Sequence, residues 1–516
     1  MSASKEKQTP KDVFSAGRSP DLAAKAAQKK KIRKNVLVGI AVTLVVVLSI
    51  GSIVLFRGPF FRNHSVAVTV GDHELTPTMV RYFYADTFSQ LNQSYGSMFT
   101  QLFGENDNFQ DEVYDESTGE TWGDYIMEQA VEQIRTTYAV YDEAMAQDYV
   151  LSEDGENSLT STESMISLYA AYSGTTENDY IRNVYGTGTG KTTYLEYERI
   201  LTTVSYYEKE MRNSYQYTQD DLSEAYEADS ADYDVYTYHS YYVTGQSSSS
   251  DETEQTAAMA EAQTQAESMA EASSHNLDEF LAQCNTLSET ENYTDGTQSL
   301  RSNTATSSMA DVVKEWITDP ARQEGDTVAL QYEDYGYYVL YYISSSDNNY
   351  DALNINVIKI SATTTDDSGT STTDWDAAKE QLDALQTDYA GYDDADTAFQ
   401  ELAATYSDDE DTANTSGKYE YAHRGQFDDA LDTWLFDSAH EDGETAVIQG
   451  SDGYYFVRYI GAAGNYRDYL VDQALRTADY QTWYDGIIAD ATAAQNEFGM
   501  KHVYMTLKLE SSSSST

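Results

Sequence analysis

One glycine-rich segment contains residue types that could hold a phosphate group. Residues 186–192 read GTGTGKT, and a phosphate loop likewise places glycines ahead of a lysine and a hydroxyl residue. The required spacing, however, puts Tyr185 where the first glycine belongs, and no strand is predicted before it. We therefore expect a glycine-rich connector between two helices and no bound nucleotide.

The carboxylates and the thiol offer little metal or redox chemistry. Asp408–Asp411 is a run of acidic residues, but it lacks the spaced ligands and the glycine of a calcium loop. Cys284 is the one cysteine, so it forms neither an intrachain disulfide nor a cysteine-rich metal site. We expect no metal and no other cofactor.

Two segments of the chain share the spacing of their marker residues, which predicts an internal repeat. In both, a serine follows a phenylalanine by eight residues and a glycine follows a tryptophan by nine. A Gly-Tyr-Tyr sequence lies ten or eleven residues farther on. The markers are Phe280, Ser288, Trp316, Gly325 and Gly336 in the first copy, and Phe399, Ser407, Trp434, Gly443 and Gly453 in the second.

Each copy is predicted to open and close on a β-strand. Helical, alanine-rich patterns lie between the strands, and they follow Ser/Thr/Asp-rich segments at 245–256 and 362–373 that are predicted to be loops. The expected unit is β-α-α-turn-α-β, an α+β module of roughly 110 residues. The opening strands are 235–243 and 353–360, and the aromatic-rich closing strands are 337–343 and 454–460.

The motifs of the second copy resemble, in their order and spacing, the parvulin family of peptidyl-prolyl isomerases. These motifs are Tyr406-Ser-Asp-Asp409, Thr415-Ser-Gly-Lys418, Arg424-Gly-Gln-Phe427 with Leu431, Gly443-Glu444, and Asp452-Gly-Tyr-Tyr-Phe-Val457. The segment from Val66 to Leu91 resembles the N-terminal chaperone segment of SurA- and PrsA-like extracytoplasmic foldases, and the helix around Trp483 resembles their C-terminal return. Together the resemblance covers most of residues 62–510.

The resemblance implies a site that twists an X–Pro peptide bond without covalent chemistry. Resonance gives that rotation a barrier of about 18–20 kcal/mol, and parvulin-like sites act with an apolar Met/Phe pair beside two histidines and a cysteine or aspartate. In the second copy, the resemblance places Phe427 and Leu431 at the substrate-binding pair and Asp409 and Tyr455 at catalytic positions. The opening-strand histidine is replaced by Asn356.

In the first copy, the resemblance places Met309 and Val313 at the substrate-binding pair and His239 and Tyr338 at catalytic positions. Thr290 stands at the acid position, so neither copy keeps the full polar cluster. Each residue also has an ordinary structural explanation. The four apolar residues can be core, the two tyrosines sheet aromatics, the histidine a packed strand residue, and the aspartate part of a solvated acidic run.

A long uncharged segment near the N-terminus predicts a membrane anchor. Residues 36–56 contain no charge, and a helix needs about 20 residues to cross about 30 Å of hydrocarbon. Residues 1–34 carry ten Lys/Arg and three Asp/Glu, which favours a cytoplasmic N-terminus. The apolar core is longer than the ~7–15 residues of a cleaved signal peptide. We expect a single-pass cell-membrane protein whose bulk is extracytoplasmic.

The rest of the chain is strongly acidic and rich in tyrosine. The whole chain has 31 Lys+Arg against 87 Asp+Glu, a formal net charge of −56, so the residues after the basic tail carry −63. This charge repels phosphate backbones and excludes nucleic acid as a partner. The 45 tyrosines offer contact area for peptides at low entropic cost. The predicted partners are unfolded secreted polypeptides and their proline-containing segments.

The predicted fold class is α+β, with a transmembrane helix followed by a helical domain and two modules. Thr76-Pro77 predicts a helix start, helical patterns continue to residue 228, and His502 to Leu509 is predicted to be a final strand. The parts are a basic cytoplasmic tail (1–34), a transmembrane signal anchor (35–57), a SurA-like helical chaperone domain (62–232), parvulin-like domains (233–348 and 351–462), and a C-terminal helix and strand (463–510).

The predicted function is that of a membrane-anchored extracytoplasmic folding factor. It binds unfolded secreted polypeptides, and peptidyl-prolyl cis–trans isomerase activity of the parvulin type is left open. The alternative is a non-catalytic chaperone or holdase whose modules serve as peptide-binding folds. A third hypothesis, a cell-surface adhesin or structural repeat protein, needs no exposed apolar groove.

Overall fold

The computed structural model describes residues 34, 40–49, 59–103, 108–365, 371–409, 412, 415, 417–437 and 439–507. Residues 40–49 of the predicted anchor are helical, whereas the rest of that anchor and the basic tail, apart from Lys34, lie outside the described residues. Among those described, no helix combines the length and apolarity that crossing a bilayer requires. The chain divides into two compact units, residues 1–214 with 480–516, and residues 215–479.

The first unit is mainly helical. The second helix begins where the sequence predicted: the Thr76 side chain accepts a hydrogen bond from the Met79 amide, and Pro77 takes the first helical position. The helices are α1 (Pro59–His64), α2 (Pro77–Tyr95), α3 (Ser97–Phe103), α4 (Trp122–Ala146), α5 (Glu153–Tyr172), α6 (Glu177–Tyr185) and α7 (Lys191–Ser214).

Short antiparallel strands complete the first unit. The strand β1 (Val68–Val70) lies between β2 (His73–Leu75) and β15 (Ala493–Gln495), and a helical turn, α16 (Glu497–Met500), follows. A hairpin joins β3 (Val113–Asp115) and β4 (Glu120–Thr121). The core beneath them is aromatic, and its fully buried members include Tyr82, Phe83, Tyr84, Phe99 and Phe109.

The predicted final strand from His502 to Leu509 is wrong. Residues 502–507 form no strand, because side chains form hydrogen bonds with their backbone groups. The Arg81 guanidinium donates to the carbonyls of Val503 and Tyr504 at 2.6 and 2.7 Å, and the Gln110 side chain accepts from a backbone N–H at 2.8 Å. The strand of this C-terminal return is β15, ahead of the predicted position.

The connector at 186–190 lies between α6 and α7. Gly186 ends α6 with a positive φ of 88°, a conformation that favours glycine. The Lys191 ammonium group, at the start of α7, forms ion pairs of 2.8 Å with Glu163 and Glu177. A lysine held in this way between carboxylates is part of the helix packing.

The second unit contains two four-stranded antiparallel sheets with the same strand order. The orders are β6-β5-β8-β7 and β12-β9-β14-β13, so each sheet pairs its opening strand with its closing strand at the centre. The strands are β5 (Val235–Thr244), β6 (Leu300–Ala305), β7 (Thr327–Tyr332), β8 (Gly336–Ser346), β9 (Asp351–Ser361), β12 (Lys418–Ala422), β13 (Thr445–Gln449) and β14 (Gly453–Asn465).

Each module therefore has two strands more than the predicted β-α-α-turn-α-β unit. The additional strands β6, β7, β12 and β13 are five or six residues long and lie at the sheet edges. Their sequences lack a long apolar alternation, so pairing with the central strands defines them. The predicted loops are also partly wrong: Asp251 caps a helix beginning at Glu252, and β10 (Thr363–Thr365) pairs with β11 (Ser371–Thr373).

Helices cover both faces of each sheet. In the first module, α9 (Glu252–Ala272) and α10 (Leu277–Ser288) cover one face and α11 (Asp311–Ile317) covers the other. In the second module, α12 (Trp375–Tyr389) and α13 (Ala395–Tyr406) cover one face and α14 (Asp429–Asp437) covers the other. The remaining helices are α8 (Gln219–Ala228) and α15 (Tyr466–Ile488). The architecture is α+β, as predicted.

Candidate functional site

The candidate site lies on the face of the second module's sheet that α14 covers, which we call the α14 face. Tyr455 on β14 pairs with Lys359 on β9. Both side chains lie on this face, because Tyr455 and Val357 belong to its cluster and residues two apart on a strand, such as Val357 and Lys359, point the same way. Tyr455 is buried in a cluster with Leu431, and Phe427 packs against the same cluster. Phe427 is half-buried, so its ring keeps an open side.

Lys359 is the basic group of the α14 face. Its ammonium group forms an ion pair of 2.8 Å with the Asp452 carboxylate and lies 5.7 Å from the centre of the Tyr455 ring. Burial alone would lower the pKa of Lys359, but the hydrogen bond to Asp452 and the nearby Tyr455 raise it overall. Lys359 therefore stays charged, and burial raises the pKa of Tyr455, which stays a neutral hydrogen-bond donor.

Asp428 joins the start of α14 to the turn before β14. Its carboxylate accepts hydrogen bonds from the Ser451 amide at 2.8 Å, the Ser451 hydroxyl at 2.6 Å and the Ala430 amide at 2.9 Å. Burial raises the pKa of Asp428, but these hydrogen bonds and the charge of Lys359 hold it below its usual value. This turn is tight, since a Cβ on Gly450 would stand 2.7 Å from the Tyr455 ring.

Sequence reasoning missed Lys359, Asp452 and Asp428 as members of this site. A signal was present: Lys359 interrupts the apolar strand NINVIKI, where a charge needs a partner. The partner comes from the turn before β14, about ninety residues later, so only the fold identifies it. The second oxygen of Asp452 is buried and has no hydrogen-bond partner, which leaves an acceptor at the site.

Asp409 lies in the segment after α13 that runs along the edge of β9. The neighbouring Asp408 amide donates to the Lys359 carbonyl at 2.9 Å, and the Asp408 carboxylate accepts from the Ser361 amide at 2.9 Å. The backbone carbonyl of Asp409 accepts from the Thr412 hydroxyl at 2.9 Å. Asp409 therefore belongs to the segment that Asp408 fixes to β9.

Asn356 does not join Tyr455. It pairs with Arg458 across the sheet and lies three residues from Lys359, so its side chain points to the opposite face, toward α12 and α13. Its side-chain oxygen is buried without a hydrogen-bond partner. On the opening strand, Val357 is the neighbour that shares the α14 face.

The first module separates its predicted site residues into two groups. Met309, Val313 and Tyr338 lie together on the face that α11 covers. His239 lies on the other face, where its ring is 6.0 Å from the Phe280 ring and its Nδ1 is 2.8 Å from the Ser299 hydroxyl. Burial, with a contribution from the charge of Arg301, lowers the pKa of His239. The sheet therefore stands between the histidine and the other three.

Exposure divides the predicted substrate-binding residues. Leu431 is 0% exposed and Val313 is 4% exposed, so both belong to the core. Met309 and Phe427 are half-buried, and each can present one side to a ligand. Phe427 packs against the cluster that contains Tyr455, and the Tyr455 hydroxyl and the Lys359 ammonium group are two hydrogen-bond donors of the same face. Such donors stabilise a twisted peptide bond only if they favour it over the planar one.

The thiol and the carboxylates add no further chemistry. Cys284 is buried in the first module, and burial raises its pKa to about 12, so it stays a neutral thiol. Within the described ranges, no group of three or more His, Cys, Asp and Glu side chains is placed to hold a metal ion.

Comparison with known families finds a match that includes the second module. Residues 338–461 match the model of the PPIC-type PPIase domain, a segment that runs from the closing strand of the first module through β14. The chain resembles the SurA/PrsA-like parvulin foldases. The resemblance drawn from the sequence is thus confirmed at the domain that carries the α14 face. No curated protein matches the chain.

Several solved structures are similar to the chain. PrsA from Bacillus subtilis is 11% identical, with 76% of this chain and 98% of that chain covered and a TM-score of 0.28. A SurA-like chaperone of Campylobacter jejuni is 10% identical, with 82% and 94% covered and a TM-score of 0.17. PrsA from Bacillus anthracis is 19% identical, with 30% and 58% covered and a TM-score of 0.17.

Proposed function

We propose that this protein is a membrane-anchored extracytoplasmic chaperone that binds unfolded secreted polypeptides. The observation that carries the proposal is an exposed apolar row on α5, which we call the α5 stripe. Met165, Leu168, Tyr169 and Tyr172 are 45%, 60%, 45% and 91% exposed. Their spacing of three, four and seven residues places them on one side of the helix.

The α5 stripe is unusual because the helix already has a buried side. Leu159, Ile166 and Ala170 pack inward, so the exposed row is a second apolar face on the same helix. A surface helix normally presents polar residues there, and contiguous exposed apolar side chains mark interaction sites. Leucine, methionine and tyrosine can adapt to many apolar segments of an unfolded chain.

The proposed division of the chain follows the sequence. Residues 1–34 form the cytoplasmic tail and 35–57 the anchor, because the uncharged segment 36–56 follows a basic run. Residues 62–232 form the helical chaperone domain, and residues 463–510 form a separate C-terminal part. Residues 233–348 and 351–462 form the two parvulin-like domains, the second supported by the family match.

The two parvulin-like domains have different proposed roles. In the first, Met309 and Tyr338 serve peptide binding without catalysis, because His239 lies across the sheet from them. In the second, Phe427 contacts the proline side of a client and Tyr455 donates a hydrogen bond. Prolyl isomerisation at this second domain is the second candidate function, and the match to the PPIC-type PPIase domain favours it.

Suppression of client aggregation tests the chaperone function. The full-length chain in detergent micelles is mixed with a chemically unfolded client, and light scattering is followed. We expect suppression near a one-to-one ratio, and Leu168→Gln with Tyr172→Gln should abolish most of it. The control is Val150→Thr, which removes an exposed apolar residue, 81% accessible, outside the stripe. Equal suppression by both variants would contradict the proposal.

A proline-limited refolding assay tests the second candidate function. The full-length chain should accelerate the slow phase of refolding, whose uncatalysed time scale is about 10–100 s. Phe427→Ala should remove the acceleration and Tyr455→Phe should reduce it. Tyr338→Phe, the matched change in the first domain, should leave the rate unchanged. If the unaltered chain does not accelerate refolding, the isomerase function is rejected and only the holdase function remains.

A further inference from the structure

A cavity of about 390 Å³ opens in the first unit among β2, α2, α4 and α7. Part of its lining is apolar or aromatic, and we call this part the floor: Leu75, Met79, Tyr138 and Ile200; an asparagine and three threonines also line the cavity. Two carboxylates, Glu74 and Glu196, also line it, and both side chains are exposed. The cavity lining therefore combines apolar side chains with two exposed carboxylates.

In the described part of the chain, the two carboxylates of the cavity are not balanced by a lysine or an arginine in its lining. The lining His73 is held at 2.6 Å by the Asp142 carboxylate, which adds a third acidic group beside it. Burial, Glu196 and Asp142 all raise the pKa of Tyr138, so these carboxylates act on the floor of the cavity.

We propose that this cavity binds a lysine or arginine side chain of an extended client polypeptide, an inference that rests on the proposed chaperone function. The aliphatic stem of such a side chain packs along Met79 and Ile200 while its charged head reaches Glu74 and Glu196.

Charge complementarity selects this occupant. An acidic side chain would meet like charges, which costs free energy at short range. A purely apolar side chain would fill the floor and gain nothing from the carboxylates. The volume of about 390 Å³ lies at the lower end of the range of about 300–1,000 Å³ that is typical of ligand pockets, so the cavity has room for one long side chain and water. The site would let an acidic chaperone hold a basic position beside an apolar segment.

Paired peptides test the inference on the full-length chain in detergent micelles. Two fluorescent, unstructured peptides share their apolar residues and differ only in having lysine or glutamine at one central position. We expect the lysine peptide to bind about threefold to fivefold more tightly, as an exposed charge pair allows. This preference should shrink in about 0.5 M salt, because ions screen the exposed carboxylates.

Matched variants separate the cavity from the overall charge. The double variant Glu74→Gln with Glu196→Gln should reduce the preference to less than about twofold. Asp148→Asn with Glu153→Gln removes the same charge from exposed positions outside the cavity and should keep it. Glu196→Lys should reverse the preference, and urea unfolding of each variant checks that it folds.

Three outcomes decide the result. A preference lost only in the cavity variants supports the inference. Equal binding of both peptides, or an unchanged preference in the cavity variants, overturns it, while normal suppression of client aggregation would leave the chaperone function standing. Failure to bind either peptide together with failure to suppress aggregation would overturn the chaperone function as well.

Discussion

Replacing Arg81 with methionine should release the C-terminal return of the first unit. Arg81 is 2% exposed, and its guanidinium donates to the carbonyls of Val503, Tyr504 and Thr187 at 2.6, 2.7 and 3.0 Å. These bonds join α2 to residues more than four hundred positions later and to the glycine-rich connector. Methionine fills a similar volume but leaves all three carbonyls without this donor.

The size of the effect follows from two opposing contributions. Hydrogen bonds to a charged group contribute about 1.5–3 kcal/mol each. Against them, burial, with a smaller contribution from Arg62, lowers the pKa of Arg81 to about 10, which corresponds to a cost of about 3 kcal/mol. The three hydrogen bonds outweigh this cost, and we expect Arg81→Met to lower the free energy of unfolding by about 3 kcal/mol.

Urea unfolding of the full-length chain in micelles, followed by tryptophan fluorescence, measures this loss. The control is Arg199→Met, because Arg199 is exposed and pairs with Glu156 at 2.7 Å, a surface pair worth about 0–1 kcal/mol. Limited proteolysis should also cut the Arg81→Met variant faster near residues 500–507. If the two variants unfold within about 1 kcal/mol of each other, the reasoning about the buried guanidinium is refuted.

Three further predictions concern the two modules, each measured by urea unfolding. Burial lowers the pKa of His239, so the stability contributed by the neutral imidazole is present above about pH 6.5 and is lost as the pH falls toward the folded-state pKa. His239→Gln should weaken the pH dependence of the free energy of unfolding between about pH 7 and 5. An unchanged slope of that free energy against pH would contradict this. Phe399→Ala removes a fully buried ring stacked 5.2 Å from Phe456 and should lower the free energy of unfolding by about 3–5 kcal/mol. A loss under about 1 kcal/mol would contradict this and show that the surrounding side chains fill the space. Gly425→Ala places a Cβ 2.4 Å from the Asn303 side chain at a φ of +76° and should cost about 1–2 kcal/mol; adding Asn303→Ala should recover only the part due to the clash.

Local sequence features predicted those elements whose stability is local. The Thr76-Pro77 start of α2 depends on a hydroxyl and an imino ring within one helical turn. The central strands β5, β8, β9 and β14 follow runs of β-branched and aromatic residues long enough to be read without their partners. The edge strands could not be read in this way, because hydrogen bonds to a central strand define them.

The composition of the candidate site shows the same limit more sharply. The sequence correctly placed His239, Asn356 and Tyr455 on strands paired within their sheets, but it did not separate the two faces. Because side chains alternate along a strand, a difference of one residue decides whether a group lies under α14 or under α12 and α13. Helices that pack on the sheet make that decision through contacts far apart in sequence.

The amino-acid sequence by itself determined the repeat, the alternation of helices and strands, and the resemblance to parvulin-type foldases, since each depends on residue type and short-range spacing. Only the tertiary structure decided which residues meet. It brought Lys359 to Asp452, placed His239 across the sheet from Tyr338, and left the α5 stripe exposed. The physical reason is that pairing, facing and burial arise when distant segments pack together, and no local pattern records the partner.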